Sequence, residues 1–358
     1  GYASTLEAAL HGDNIPTAVV ENLIASARAN LGAYQRYERL RRRALKLETY
    51  HLYDGSIPLV DFTEHYPYRQ VVEWIVDSVS PLGPTYQRRL AEGFEKRWVD
   101  IYENEGKRSG AYSAGVYGVH PYVLMNYNDT LDSAFTLAHE MGHSMHTVLA
   151  QERQPFVYSD YTIFVAEVPS TLSEALLLDH RLAHATNPDE RIVLLQHAID
   201  GITGTFFTQV MFADWELRAH RLVEAGQPIT ADVLSNLYAE TLRAYHGDAI
   251  DYDDLSRVTW ARIPHFFGSP YYVYQYATCY ASSAQLLVGL RDADPAVREA
   301  TIARYLDLLG AGGSDYSMAL LGRAGVDLAN PATVGAVGTL LDTLVDQLED
   351  ALRTRGLV

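Results

Sequence analysis

Cysteine is nearly absent from this sequence, and basic residues are scarce. The single cysteine, Cys279, leaves no pair for a disulfide within the chain and excludes a zinc finger built on several thiolates. Lysine and arginine together number 28 against 45 aspartates and glutamates, and the net charge is −17. A protein this acidic is poorly suited to binding phosphate backbones or anionic membranes. We therefore expect no nucleic-acid partner.

Long apolar runs are also lacking. No stretch approaches the roughly 18 consecutive apolar residues that indicate a membrane-spanning helix, and the opening residues lack the basic start and apolar core of a signal peptide. We expect a cytoplasmic protein without a membrane partner. Its oligomeric state leaves no signature in the sequence.

Helical periodicity dominates what is present. It predicts helices over Pro16–Leu47, Tyr68–Ser78, Pro84–Tyr102, Thr130–Gln151, Pro169–Ala185, Asp189–Ala225, Thr230–His246, Tyr271–Leu290, Pro295–Leu309 and Pro331–Arg353. Glycines interrupt the pattern from Gly110 to Gly118, and Tyr122–Tyr127 is typical of a short strand. Repeats, low-complexity segments and breaks in composition are missing. We therefore predict one mainly α-helical domain over residues 1–358 with a small β-sheet.

The strongest chemical signal is the segment His139-Glu140-Met141-Gly142-His143, which matches the H-E-x-x-H pattern. On a helix, His139 and His143 lie one turn apart on the same face, so both imidazoles can reach one metal ion. Glu140 then lies beside the place where a metal-bound water would be. Two histidines and a glutamate on an otherwise apolar helix are costly to bury unless something satisfies them. We interpret the segment as a metal site rather than as hydrogen-bonded core histidines.

A catalytic zinc needs a third protein ligand and an open position. Glu167 lies 24 residues beyond His143, a gap that fits a loop and the return of a following helix. Spacing alone leaves two interpretations of Glu167: a ligand, or a first-turn glutamate that complements a helix dipole. Glu174, two turns further along the same face, could support the site or be an ordinary surface acid.

Several blocks in the same order resemble peptidase family M3, and most closely its oligoendopeptidase F branch. They are Lys107–Tyr112, His120–Tyr122, Asn126–Asp132, His139–His146, Glu167–Ser170, Ile263–Phe266, Tyr271–Thr278 and Ala311–Tyr316. The resemblance implies a zincin-like helical catalytic domain with a small sheet beside the zinc helix. Family members are usually longer, with an N-terminal helical region that helps to roof a deep channel. We expect the chain to be a fragment or a short homologue that corresponds to the second half of such proteins.

The resemblance also implies roles for individual residues. His139, His143 and Glu167 match the ligands of one Zn²⁺ per chain, and Glu140 matches the general base. His265 matches a histidine that hydrogen-bonds the substrate or the oxyanion. Three tyrosines are candidates for the oxyanion donor, in the order Tyr274, Tyr271 and Tyr272, with Tyr272 otherwise expected to contact the substrate. His146 matches a family histidine near the site, for which we favour a role in packing or in supporting the site from behind the ligands.

The glycine-punctuated region adds a prediction about substrate binding. A free strand edge can pair with the main chain of any extended peptide. We expect Tyr122–Tyr127, with Gly110, Ala111 and Tyr112 beside it, to contact substrate in this way. A sheet that only closes one wall of the core is the alternative for Tyr122–Tyr127.

Together these features predict a zinc metalloendopeptidase that hydrolyses internal bonds of short peptides. A carboxypeptidase or dipeptidyl carboxypeptidase is the nearest alternative, since Arg108 or Arg262 could hold a terminal carboxylate. A peptide-binding protein with an impaired zinc site is the alternative from another class.

Overall fold

The structure, a computed structural model, describes all of residues 1–358. The helices are α1 Thr5–Leu10, α2 Thr17–Ala29, α3 Leu31–Ala44, α4 Tyr68–Ser78, α5 Pro84–Glu95, α6 Leu131–Arg153, α7 Ile163–His184, α8 Pro188–Ile202, α9 Thr208–Glu224, α10 Ala231–His246, α11 His265–Gly268, α12 Tyr274–Leu290, α13 Pro295–Leu309, α14 Ser317–Arg323 and α15 Pro331–Arg355. The strands are β1 Val99–Asp100, β2 Tyr112–Ala114 and β3 Tyr122–Leu124. The predicted fold class, mainly α with a small sheet, is confirmed. None of the helices combines the length and the apolar character that crossing a membrane requires.

The chain forms two compact units, and each consists of separate segments. Unit 1 comprises residues 1–61, 187–281 and 328–358, whereas unit 2 comprises residues 62–186 and 282–327. The chain enters and leaves unit 2 twice, so neither unit is a continuous stretch of sequence. A single domain over residues 1–358 stays a prediction.

The core of unit 1 is organised by its C-terminal helix. Asn330 caps the start of α15 by accepting a hydrogen bond from the Ala332 amide, which satisfies one of the free donors of the first turn. Along α15, Val337, Leu341, Val345, Leu348 and Leu352 are all buried. Their three- and four-residue spacing forms one apolar face, which packs against α2, α3 and α8.

The core of unit 2 is the pair α6 and α7, and a glycine lets them approach closely. A Cβ atom added to Gly142 on α6 would lie 2.7 Å from the Pro169 carbonyl oxygen and 2.8 Å from the Ser170 Cα on α7. Real Cβ atoms do not approach backbone atoms to such distances. Gly142 therefore sets the separation of the two helices.

The predicted start of α7 at Pro169 is wrong, because the helix begins at Ile163 and contains Pro169 in its interior. Proline lacks an N–H group and normally disfavours this position. Two hydroxyls of the next turn donate back to carbonyls of the helix: Thr171 Oγ1 donates to the Glu167 carbonyl at 2.6 Å, and Ser173 Oγ donates to the Pro169 carbonyl at 2.8 Å. Because α7 begins at Ile163, Glu167 lies within the helix, just before the residues Pro169 and Ser170 that contact Gly142.

The predicted helix Pro84–Tyr102 is also too long. It ends at Glu95, since Arg97 adopts a left-handed backbone with φ of 62°, and the Trp98 amide donates back to the Gly93 carbonyl at 3.1 Å. This is the usual closing geometry of a helix, but no glycine marks it in the sequence. The turn frees residues 99–100 to form β1.

The sheet has the order β1-β3-β2, so β3 lies in the centre. β3 pairs parallel with β1 and antiparallel with β2, with Val123 opposite Val99 on one side and Ser113 on the other. The prediction that Tyr122–Tyr127 offers a free edge is therefore wrong. On the side next to Gly110–Tyr112, the edge strand is β2.

Candidate metal centre

Helix α6 places two histidine side chains one turn apart. Thr130 caps its first turn, with the Ser133 amide donating to Thr130 Oγ1 at 3.2 Å. Nine residues into the helix, His139 and His143 present their rings on one side, and their Nε2 atoms lie 3.2 Å apart. Both side chains are only partly exposed.

Helix α7 brings a carboxylate to the same point. Glu167 Oε2 lies 3.1 Å from His139 Nε2 and 3.4 Å from His143 Nε2. The donor atoms of the three residues all lie within 4.8 Å of one another. We call His139, His143 and Glu167 the metal group, because their geometry could hold a metal ion.

The second ring nitrogen of His139, Nδ1, makes a hydrogen bond of the kind that metal-binding histidines make. His139 Nδ1 lies 2.6 Å from Glu174 Oε1, an acceptor that fixes the proton on Nδ1 and leaves the Nε2 lone pair directed at the metal group. Two imidazole nitrogens and one carboxylate oxygen form a donor set found in catalytic zinc sites, which leaves further positions open. The residues therefore fit a metal ion, and Glu174, which the sequence left open, supports the site.

The charges in the metal group reinforce one another. Burial raises the pKa of Glu167, but hydrogen bonds from His139 and His143 outweigh burial and hold the pKa well below its usual range. Burial likewise lowers the pKa of His139, but its hydrogen bonds to Glu167 and Glu174 outweigh this effect and raise the pKa to about 10. The pocket therefore favours positive charge at the point where the three donor atoms meet.

Glu140 lies beside this point but is not one of the three donors. Its side chain is 6% exposed, and its Oε2 atom has no hydrogen-bond partner. Burial raises the pKa of Glu140, whereas His139 and His143 and a hydrogen bond from the Ser113 backbone lower it. β2 is held against α6 at this place, since the Ser113 and Ser144 hydroxyls lie 2.9 Å apart. A buried carboxylate with one free oxygen is suited to accepting a proton.

His146 has the packing role that we favoured from the sequence. It is buried and stacks on the Tyr161 ring, with 3.5 Å between ring centroids. Burial and the neighbouring His143 lower its pKa to about 3, so the ring stays neutral.

The predicted histidine and tyrosines, His265, Tyr271, Tyr272 and Tyr274, lie in unit 1, where His265 begins a cluster of aromatic rings. His265 stacks on Tyr272, with ring centroids 5.3 Å apart and an interplanar angle of 13°. Tyr276 contacts both rings edge-on. Tyr276 was missed as a candidate, although its four-residue spacing from Tyr272 is a usable signal. We call His265, Tyr272 and Tyr276 the aromatic cluster.

Tyr271 and Tyr274 do not join this cluster. The predicted start of a helix at Tyr271 is wrong, because α12 begins at Tyr274 and Tyr271 has a left-handed backbone with φ of 58°. Its hydroxyl lies 2.7 Å from Thr5 Oγ1, and its amide donates to Glu216 Oε1 at 2.9 Å. Tyr274 is 2% exposed, and burial raises its pKa.

The predicted substrate-binding segment lies at the edge of the unit 2 sheet. Gly110 has a left-handed backbone with φ of 90°, and the Asn126 side-chain amide donates to its carbonyl at 2.8 Å. Ala111 follows, and Tyr112 begins β2 with more than half of its surface exposed. Asn126 thus orients the entry to the edge strand.

Comparison with known proteins identifies the family. The profile of peptidase family M3 matches residues 1–336. The chain belongs to peptidase family M3. It is 41% identical over 354 residues to oligopeptidase PepF of Bacillus subtilis, covering 98% of this chain and 52% of that protein. It is 37% identical over 349 residues to group B oligopeptidase PepB of Streptococcus agalactiae, covering 98% of this chain and 57% of that protein.

Solved structures show the same fold. The crystal structure of a putative peptidase from Chlamydophila abortus matches with a TM-score of 0.90 and 38% identity, covering 98% of this chain and 58% of that one. That of oligoendopeptidase-F from Enterococcus faecium matches with a TM-score of 0.77 and 29% identity, covering 99% of this chain and 56% of that one. The M3 peptidase fold predicted from the sequence is confirmed. The chain spans only about half the length of the curated relatives it matches.

Proposed function

We propose that the chain carries the catalytic centre of a zinc metalloendopeptidase that hydrolyses internal bonds of short oligopeptides. One Zn²⁺ per chain would be held by His139, His143 and Glu167. The observation that carries the proposal is the buried carboxylate of Glu140 next to this metal group. Its Oε2 has no partner within the protein.

Zinc bound at such a site supplies a Lewis acid and lowers the pKa of water towards ~7. Glu140 would take a proton from the attacking water on its carboxylate and later deliver it to the nitrogen of the leaving amine. Burial raises the pKa of Glu140, which makes its carboxylate a stronger proton acceptor. The Ser113 backbone hydrogen bond keeps the carboxylate in place, and no covalent enzyme intermediate is needed.

Substrate would pair with β2. This strand has β3 on one side only, and the Ser113 backbone contacts Glu140. An extended peptide along Gly110–Tyr112 would therefore bring its main chain towards the proton acceptor. Main-chain pairing accepts many sequences, which suits an enzyme for short peptides of varied composition. Backbone hydrogen bonds between a bound peptide analogue and residues 110–114 would support this part of the proposal, and their absence would contradict it.

From the family resemblance we propose that His265 and one tyrosine of the segment after it donate hydrogen bonds to the oxyanion. A phenolic hydroxyl or an imidazole N–H can stabilise a developing oxyanion. Tyr272 is half-buried and stacks on His265, whereas Tyr274 is enclosed. We therefore now favour Tyr272 over Tyr274 and Tyr271, and His265 keeps its proposed role.

Metal analysis combined with peptide cleavage tests the proposal. The purified chain should contain close to one zinc per molecule and should cleave a quenched fluorescent peptide whose two ends are blocked. A chelator should abolish cleavage, and added zinc should restore it. Cleavage that requires a free C-terminus would instead favour the carboxypeptidase alternative, for which Arg108 and Arg262 are exposed. Bound zinc without any cleavage would favour a peptide-binding role. The cytoplasmic location expected from the sequence stays a prediction.

A further inference from the structure

Unit 1 contains a cavity of about 390 Å³ that the proposed peptidase function does not use. Its walls come from α3, from residues 50–56 and from residues 200–208. None of these residues belongs to the metal group or to the aromatic cluster. The volume lies within the range of sites for small molecules, roughly 300–1,000 Å³.

One cation, Arg41, lines the cavity, and most of its donors are already engaged. The Arg41 guanidinium is buried; its Nε donates to the Tyr50 hydroxyl at 2.9 Å and its Nη1 to the Tyr37 hydroxyl at 3.1 Å. Its Nη2 donates to the carbonyls of Asp54 and Ile57. Tyr37 in turn donates to Asp200 at 2.6 Å. These bonds engage four of the five N–H groups of Arg41, so at most one is left for an anionic ligand.

Glu38 differs, because part of its carboxylate is unused. The side chain is 8% exposed, and Oε1 lies 2.6 Å from His246 Nδ1. Oε2 is buried and has no hydrogen-bond partner. Leaving a buried carboxylate oxygen without a donor is costly. Nearby, the Tyr50 hydroxyl accepts from Arg41, which leaves its own hydrogen to donate.

The third wall has an unusual backbone. Residues Thr203–Phe207 form a π-helical turn between α8 and α9, and the Thr208 amide donates to the Thr203 carbonyl. The turn presents Phe207 to the Tyr34 ring, with centroids 5.2 Å apart. Such turns are rare and occur frequently at functional sites. Gly204, an exposed residue of this turn, lines the cavity, and a Cβ atom added there would meet no other atom within 4 Å.

We propose that this cavity binds a small primary amine that carries a hydroxyl group. Its ammonium group donates to Glu38 Oε2, and its hydroxyl oxygen accepts from the Tyr50 hydroxyl. The cavity is lined by two carboxylates, Glu38 and Asp200, and by a single guanidinium that has four of its five N–H groups engaged, so it selects a cation over an anion. The ammonium–carboxylate hydrogen bond is charge-assisted and therefore stronger than one to a neutral donor.

Ligand-observed NMR titration of the full chain with ethanolamine tests the proposal, with ethylene glycol as a neutral molecule of matched size. The chain should bind ethanolamine in preference to ethylene glycol. Glu38→Gln should weaken ethanolamine binding by about 10- to 100-fold, the effect of losing a hydrogen bond to a charged group. Glu21→Gln, at an exposed acid on α2, should leave the affinity unchanged.

A second variant keeps the test decisive if Glu38→Gln does not fold. Gly204→Leu places a side chain in open space at the cavity wall and leaves Glu38 and His246 intact, and it should also weaken ethanolamine binding. The proposal would be overturned by equal affinity for the two compounds, by no detectable binding, or by unchanged ethanolamine affinity in a folded Glu38→Gln or Gly204→Leu variant.

Discussion

Replacing Gly142 with alanine tests whether the close approach of α6 and α7 forms the metal group. The new Cβ would lie 2.7 Å from the Pro169 carbonyl oxygen, whereas ordinary contact begins at 3.4 Å. One helix must therefore move by roughly 0.7 Å, the difference of these two distances. Both neighbouring atoms belong to the backbone of α7, so no flexible side chain can absorb the movement. Glu167, which lies two residues before Pro169, would move with it.

A displacement of this size is large for a metal site. Ligand distances in such sites stay within about 0.2 Å of their ideal values. We expect Gly142→Ala to lower zinc affinity by at least about 10-fold, comparable with the loss of a supporting residue around a metal. Overpacking should also lower the free energy of unfolding by about 1–3 kcal/mol.

Competition with a chromophoric chelator measures the affinity, and chemical denaturation measures the stability. Gly322→Ala is the matched control, since Gly322 lies on helix α14 of the same unit and an added Cβ meets nothing within 4 Å. This control should keep its zinc affinity and should be slightly stabilised, because alanine is the better helix former. Unchanged zinc affinity and stability in Gly142→Ala would refute the reasoning.

Three further predictions follow from single contacts. Glu174→Gln should weaken zinc binding by about 10- to 100-fold, as measured by chelator competition. The control Glu152→Gln, at a solvent-facing position of α6, should leave zinc binding unchanged. Equal zinc affinities of the two variants would make Glu174 an ordinary surface acid. Tyr272→Phe should lower kcat by on the order of 10²–10³ with little change in KM, and Tyr274→Phe should have a smaller effect; the reverse order would restore Tyr274 as the donor. Burial raises the pKa of Glu216 to about 7, above its ordinary 4.5, despite the Tyr271 amide bond. The folded state therefore binds the proton more tightly than the unfolded state, and the stability from protonation is lost as pH rises from about 4.5 to 7. In chemical denaturation, the free energy of unfolding of Glu216→Gln should exceed that of the parent by an amount that grows across this pH interval to at most about 3 kcal/mol. A difference that does not depend on pH would contradict the assignment.

The metal group could be anticipated from the sequence because its chemistry is local. The H-E-x-x-H spacing fixes His139 and His143 on one helical face without any tertiary information. Glu167 was different: spacing alone left it undecided between a ligand and a helix-dipole glutamate, and the family resemblance was needed to choose. Glu174 could be assigned only from its 2.6 Å contact with His139.

Other features depended on tertiary contacts that periodicity does not encode. Pro169 lies inside α7, although proline is typical of the first turn of a helix. The end of α5 at Glu95 depends on a left-handed backbone at Arg97, a residue type that gives no turn signal. Strand order was likewise invisible, and so the free edge was assigned to Tyr122–Tyr127 although β3 pairs on both sides.

The tyrosines show the same limit on a smaller scale. A run with Tyr271, Tyr272, Tyr274 and Tyr276 suits a continuous helix, and three- or four-residue spacing would then select the shared face. The left-handed backbone at Tyr271 interrupts that helix. The family resemblance placed Tyr274 and Tyr271 ahead of Tyr272, whereas Tyr272 and Tyr276 are the residues whose rings contact His265.

The most direct test of the proposed zinc centre is the turnover number of Glu140→Gln with its zinc content measured on the same sample. Glutamine keeps the size of the side chain but cannot accept the proton, and Glu140 is not one of the three metal donors. We predict one zinc per chain and a fall in kcat of about 10²–10⁴, the usual contribution of general acid–base catalysis. A fully metallated variant with near-normal turnover would contradict the account.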